Sequence, residues 1–445
     1  MRRSPGSIGL GRRMIRVAAW IFVGAGVTFC QTSVPGTPAG HTLQAWLDAF
    51  NSGDEAKLDA YRKTVDRTGT FATATSFRKQ TGGLDLLEID SSEPLLIKFK
   101  VKEKAGPTVA FGSIRVKDGQ PVTVEHIDLV AAPPNAVFEQ MKLDAASRKL
   151  VIDGVGAKLT EFYVYPESAQ KMVEALQAHE KRGDYDSVTD GDALAQLLTD
   201  HLREVSHDRH LNLRFTPYKQ PAETGEKGPS KDEVAQRRQE MERDNCAFRK
   251  VEVLENNVGY VKLDAFSDPA VCGPTVVAAM NFVGHADGII FDLRDNGGGD
   301  PKMVAFLLSY VFDQATHVND LYNRKENLTE QYWTSPYVPG PRLGDKPVFV
   351  LTSKDTFSGG EEFSYDLKSL KRATIVGETT GGGAHPVRGV RVNDHFTVGV
   401  PFARAVNPVS KTDWEGTGVV PDVPVKADDA LETAEKLMAE KLQKK

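Results

Sequence analysis

The sequence predicts an α/β core preceded by a small α+β domain. Two observations carry that expectation. From Arg249 onward, short apolar runs such as GIIFDLR and VFVLT alternate with helical stretches, the pattern of a mostly parallel sheet covered on both faces. Before them, helices are followed by four consecutive strand-like runs, which reads as helices packed on an antiparallel meander.

The chain has 445 residues, enough for about three domains. Its net charge of −6 and ordinary apolar content argue against a nucleic-acid or membrane-surface partner and for a small molecule or peptide. The N-terminus, residues 1–30, carries several arginines and then the apolar run Val17 to Phe29, too short and too poorly flanked for a stable span, and reads as an export signal. Arg12-Arg13 is a faint twin-arginine feature, and Cys30 is a candidate lipidation site with a poor match at Phe29. The other two cysteines, Cys246 and Cys272, either pair, at about 3 kcal/mol of stabilisation, or remain small core residues.

After the linker Gln31 to Gly40, HTLQAWLDAFNSGDEAKLDAYRKTV reads as two amphipathic helices broken at Ser52-Gly53-Asp54. LDLLEID, LLIKFKVKEK, TVAFGSIRV and PVTVEHIDLV then supply the four strands of a domain spanning residues 40–131. Residues 145–216 hold three helices, with stops at Tyr165-Pro166 and Arg182-Gly183-Asp184, and the strand HLNLRF. Residues 217–248 are polar and coreless, an exposed and partly helical connection. The core occupies 249–445 and closes with a helix from Asp428 to Gln443.

The chemistry concentrates where strands of such a sheet end. Three loops leave C-terminal strand ends: DNGGGD (Asp295 to Asp300), DTFSGG (Asp355 to Gly360) and ETTGGG (Glu378 to Gly383). Ser358 stands at a strand-to-helix bend, ahead of a helix predicted over Glu361 to Leu370, so it is either an N-cap or a nucleophile beside oxyanion donors. The glycine runs lack the Lys-Ser/Thr of a phosphate loop and the GxGxxG of a dinucleotide site, and suit an oxyanion pocket better. A base is available from His201, His207 and His210, where a helix hands over to a strand. As zinc ligands His207 and His210 lack a HExxH glutamate and any cysteine partner, so neither a metal nor another cofactor is expected. Glu415, in a turn between Trp414 and Gly416, is either the acid partner of the base or a turn acid bonded to main chain.

DLRDNGGG (Asp292 to Gly299), TFSGGEEF (Thr356 to Phe363), VGETTGGG (Val376 to Gly383) and EGTGVVPDV (Glu415 to Val423), in this order after the DxH at Asp208 to His210, resemble the tail-specific and tricorn-core serine peptidase family, in the branch similar to interphotoreceptor retinoid-binding protein. The resemblance runs over Ala145 to Val425. It implies a helical subdomain on a crotonase/ClpP-like core, with Ser358 as nucleophile, Gly359 and either Gly298 or Gly299 as oxyanion donors, His210 as base and Glu415 as its acid. Gly382 stands where the Ser-Lys branch places its lysine, which disfavours a lysine base. Arg209 replaces the second serine of tricorn-type enzymes, leaving Asp208 or Ser206 to orient the imidazole. WLDAFNSGD and the strands after it are similar to nuclear transport factor 2-like (cystatin-like) domains. The resemblance thus implies a peptidase acting on a peptide or protein, which the N-terminal signal would make exported, periplasmic or extracellular, and it leaves open a non-catalytic protein that binds a peptide or apolar ligand on the same fold.

Overall fold

A computed structural model of the chain describes residues 33–65, 71–132, 143–220 and 231–444. The expected export signal and Cys30 lie outside the described residues.

The first helices are α1 (Pro38–Asn51), α2 (Glu55–Thr64) and α3 (Phe71–Thr81). Thr37 Oγ1 accepts the Gly40 N–H at 3.0 Å and starts α1. The Asp54 carboxylate accepts the Ala56 N–H at 2.9 Å and starts α2, so the break falls where the sequence placed it. Strands β1 (Leu84–Ser92), β2 (Leu96–Glu103), β3 (Val109–Lys117) and β4 (Thr123–Ala132) follow as an antiparallel sheet in that order. Leu43, Trp46 and Phe50 of α1 pack against Ile97, Phe99 and Ile114.

Next come α4 (Ala145–Phe162), α5 (Pro166–Arg182), α6 (Gly191–Ser206) and β5 (Asn212–Phe215). Leu194, Leu198 and Leu202 form the buried stripe of α6, at helical spacing. Within the polar connection, residues 221–230 are outside the described part and α7 spans Lys231–Arg243.

The core then runs through β6 (Phe248–Leu254), β7 (Val258–Leu263), α8 (Pro269–Phe282), β8 (Gly288–Asp292) and α9 (Pro301–Leu308). It continues with β9 (His317–Asn323), β10 (Leu328–Trp333), β11 (Val348–Thr352), α10 (Gly359–Ser369) and β12 (Thr374–Gly377). The chain ends in β13 (Val387–Arg391), β14 (Phe396–Pro401), β15 (Ala403–Val406), β16 (Val423–Pro424) and α11 (Ala430–Gln443).

Six strands form the main sheet in the order β16-β12-β11-β8-β7-β6, parallel except for β6. Side chains alternate across it. Val261, Ile289, Phe291, Val348 and Val350 face α8, α9 and α10, while Tyr260, Ile290, Phe349 and Leu351 face Ala430, Ala434 and Met438 of α11. Burial on both faces is why β8 and β11 read as continuous apolar runs rather than alternating ones. Cys246 and Cys272 are joined in a disulfide that ties the start of β6 to α8.

Two smaller sheets flank this one: β10-β9-β15 and β13-β14-β5. The second joins the helical segment to the core, because β5 pairs with β14 through Phe215 opposite Phe396 and Leu213 opposite Val398. Residues of α4 and α6 share one hydrophobic cluster with Phe396, Val398 and Val400. That pairing fixes the position of the segment just before β5. Among the described residues, no helix is long and apolar enough to cross a membrane.

Candidate active site

The three glycine-bearing loops leave β8, β11 and β12, which are adjacent in the sheet, so their C-terminal ends meet at one place. The loop after β11 ends at Ser358, whose φ of 51° and ψ of −118° are uncommon for a residue with a side chain. Helix α10 begins at the next residue, two residues earlier than the sequence placed it, because Gly359 and Gly360 accept helical geometry behind the strained serine.

Gly298 and Gly299, with φ of +104° and +141°, lie directly against this bend. A Cβ on Gly298 would stand 2.7 Å from Ser358 Cβ, and one on Gly299 would stand 2.0 Å from the Phe266 carbonyl. Only bare main chain fits there. The Gly298 N–H donates to Asn296 Oδ1 at 2.9 Å, so of the two predicted donors that amide is already committed. No hydrogen bond to a described residue engages the Gly299 or Gly359 N–H.

Glu361 binds the second and third loops together. Its carboxylate accepts the Ser358 N–H at 2.8 Å, the Gly382 N–H at 2.6 Å, the Gly383 N–H at 2.8 Å and the Thr380 hydroxyl at 2.5 Å. Burial pushes its carboxyl above the ordinary glutamate value even against these four donors.

The imidazoles arrive from two directions. His210 precedes β5, and its backbone N–H donates to Asp208 Oδ1 at 2.9 Å. Its Nδ1 stands 3.5 Å from the same oxygen, at ion-pair distance but without hydrogen-bond alignment. The ring packs on Phe357 with centroids 4.9 Å apart, one residue from Ser358. Gly383 permits this approach, since a Cβ there would come within 2.6 Å of His210 Cε1. Of the two expected orienters, Asp208 is the one at the ring; the Ser206 hydroxyl donates to the Leu202 carbonyl and accepts the Asp208 N–H, as a helix-end cap does. Arg209 turns away and donates to the Gly381 carbonyl at 3.0 Å.

His385, which the sequence reading passed over, reaches the same acid from the ETTGGG loop. Its Nδ1–H donates to Asp208 Oδ2 at 2.9 Å and lies 3.4 Å from Glu415 Oε2. The Tyr163 hydroxyl also donates to Asp208 Oδ2, at 3.1 Å. Burial pushes the Asp208 carboxyl up, but His210 and His385 outweigh it and hold it well below the ordinary aspartate value. Glu415 accepts the Ala384 N–H at 2.6 Å, and burial raises its carboxyl. It thus accepts from main chain, as expected of a turn acid, and the ring at ion-pair distance from it is His385 rather than the expected base His210. Among the described residues, no hydrogen bond joins Ser358 to either imidazole.

The chain matches peptidase family S41 over residues 257–425, and the N-terminal domain of S41 peptidases in eukaryotic interphotoreceptor retinoid-binding protein over residues 141–255. The chain belongs to peptidase family S41. Among curated relatives of this S41 chain, a carboxyl-terminal-processing protease of Synechocystis sp. is 29% identical over 168 residues, covering 37% of each protein. The chloroplastic carboxyl-terminal-processing peptidase 2 of Arabidopsis thaliana is 28% identical over 177 residues, 38% of this chain and 32% of the relative. The matched region thus spans only about a third of each relative's length. Of solved structures, the photosystem II D1 C-terminal processing protease overlaps 63% of this chain and 94% of its own, with 16% identity and a TM-score of 0.40. The tricorn protease overlaps 81% and 46%, with 12% identity and a TM-score of 0.43.

In this S41 chain, Ser358, Gly299, Gly383 and His385 line one cleft of about 310 Å³. The potential ligand atoms of Asp208, His210 and Glu415 lie within 4.8 Å of one another, the spacing of a metal set. Both Asp208 oxygens and Glu415 Oε2 already accept hydrogen bonds from N–H or O–H groups, however, an arrangement suited to holding imidazoles.

Proposed function

We propose that this chain is an exported serine peptidase that cleaves peptide bonds through an acyl-enzyme on Ser358. The observation that supports it best is the meeting of Ser358 at a strained helix start with the unengaged amides of Gly299 and Gly359, in a cleft beside an acid-held imidazole.

In this reading His210 takes the hydroxyl proton of Ser358 as Oγ bonds to the substrate carbonyl carbon. The oxyanion points at the two amides, each worth roughly 3 kcal/mol of transition-state stabilisation. The imidazolium then protonates the leaving nitrogen as the C–N bond breaks. Water, deprotonated by the same ring, attacks the ester, releases the new carboxyl terminus and restores Ser358. With Asp208 at Nδ1, the ring's Nε2 is the nitrogen that exchanges protons. Asp208 and Glu415 supply the negative charge that the imidazolium needs.

The Cys246 to Cys272 disulfide supports an oxidising, exported setting. The parallel core with the site at its strand ends supports a crotonase/ClpP-like assignment, and the helices on an antiparallel meander support a cystatin-like accessory module for docking.

The experiment is labelling with a fluorophosphonate probe. Wild type should be labelled, Ser358→Ala not at all, and His210→Ala more slowly by several orders of magnitude. Undiminished labelling of Ser358→Ala removes Ser358 from the role, and absence of labelling in wild type favours a non-catalytic peptide or apolar-ligand binder.

A further inference from the structure

We propose that Glu362, at the inner end of the cleft beside Ser358, sets the specificity of this site by selecting substrates with a lysine or arginine side chain next to the scissile carbonyl. The inference rests on the serine-peptidase reading of Ser358.

Ser358 and Gly299 share the cleft lining with Glu362, so the side chain attached to a carbonyl held at those amides is the one that can enter. The walls are apolar: Leu321, Tyr332, Ala405 and Trp414 suit the methylene stem of a long basic residue. Apart from His385, which Asp208 holds at 2.9 Å, the charged lining is of one sign. Glu326 and Glu330 stand at the exposed rim and Glu362 within, and no lysine or arginine lines the cleft among the described residues.

Glu362 lacks what a buried carboxyl needs. It is 5% exposed, its Oε1 meets no hydrogen-bond partner, and no cation pairs with it among the described residues. Asn319 lies beside it, yet neither amide atom of that side chain finds a partner at bonding distance. One helical turn on, Asp366 is also buried, with Oδ1 accepting from Asn407 at 2.9 Å and Oδ2 unpartnered. Burial pushes the Glu362 carboxyl up, Asn319 opposes that and Asp300 adds to it; burial and then Glu362 push Asp366 up as well. Two like groups so close and so dry cannot both ionise unaided, and an entering ammonium or guanidinium supplies the missing counter-charge. An apolar side chain would leave these atoms unsatisfied.

The test compares otherwise identical fluorogenic peptides with Arg, Lys or Leu at the residue that donates the scissile carbonyl, using wild type and Glu362→Gln at pH 8. Wild type should favour the basic peptides in kcat/KM by about 100-fold or more, and in Glu362→Gln the Arg-to-Leu and Lys-to-Leu ratios, each taken within that variant, should fall to within a few fold of one. A wild-type preference for Leu, or a ratio unchanged by Glu362→Gln, overturns the proposal. Calorimetric binding of the uncleaved Arg and Leu peptides to Ser358→Ala gives a readout independent of catalysis. Tighter binding of the Arg peptide that Glu362→Gln abolishes sustains the specificity even where hydrolysis fails, whereas equal affinities overturn it.

Discussion

Asp208 and His385 are joined by a hydrogen bond of 2.9 Å between side chains that are each 2% exposed, although 177 positions separate them in the chain. The acid that faces His210 is thereby fixed from the opposite side by a loop of the core.

His385 is expected to act through that acid as a positioning residue. In His385→Asn, Asp208 loses one of its donors and His210 loses its fixed reference. We expect kcat to fall about 10- to 100-fold with KM little changed, the scale seen when an orienting partner is removed. Steady-state kinetics checks this, and an unchanged kcat contradicts it.

The same pair predicts how stability varies with pH. Burial disfavours the charged His385 ring, but the Asp208 hydrogen bond and the Glu415 charge raise its folded pKa above the ordinary histidine value. Its contribution is therefore fully present below about pH 6.5 and is lost as pH rises through the folded value. For Asp208, whose folded pKa is lowered, the contribution is present above about pH 3.9 and is lost as pH falls. Urea denaturation of wild type and His385→Gln between pH 5 and 9 should show a stability gap that narrows toward the alkaline end. A gap independent of pH excludes the ion pair.

Glu361→Gln should destabilise the chain by about 2 to 4 kcal/mol, since an amide nitrogen would face donors that a carboxylate now satisfies. Because those donors come from both the Ser358 loop and the ETTGGG loop, activity should fall further than stability alone explains. Chemical denaturation and kinetics on the same preparation separate the two effects.

Gly298→Ala should cost about 2 kcal/mol or more and abolish activity, because the added methyl meets Ser358 Cβ at 2.7 Å with the backbone at positive φ. Soluble, stable protein with wild-type rates would show that the two loops are not in contact.

Much of this was legible in the sequence where local pattern and tertiary role coincide. The apolar runs of β8 and β11 announced a sheet buried on both faces, and that sheet brought DNGGGD, DTFSGG and ETTGGG to one edge. The hairpin β9 to β10, a wall of the cleft, went unseen because LYNRKENLTEQYW is polar and its strand character comes from pairing with β15. Helix α3 was missed for a similar reason, since FATATSFRKQT has little helical periodicity of its own. His385 follows three glycines and reads as loop; only its burial on Asp208 reveals it. Glu362 is the second acid of a helix first turn, and nothing local says that it points inward.

The most direct test of the central claim is intact-mass and peptide-mapping spectrometry of the enzyme quenched during turnover of a slowly deacylating ester. The account predicts an acyl adduct that maps to the peptide carrying Ser358, forms in wild type, and is missing from Ser358→Ala. Turnover of the ester with no adduct, or with the adduct on another residue, would contradict it.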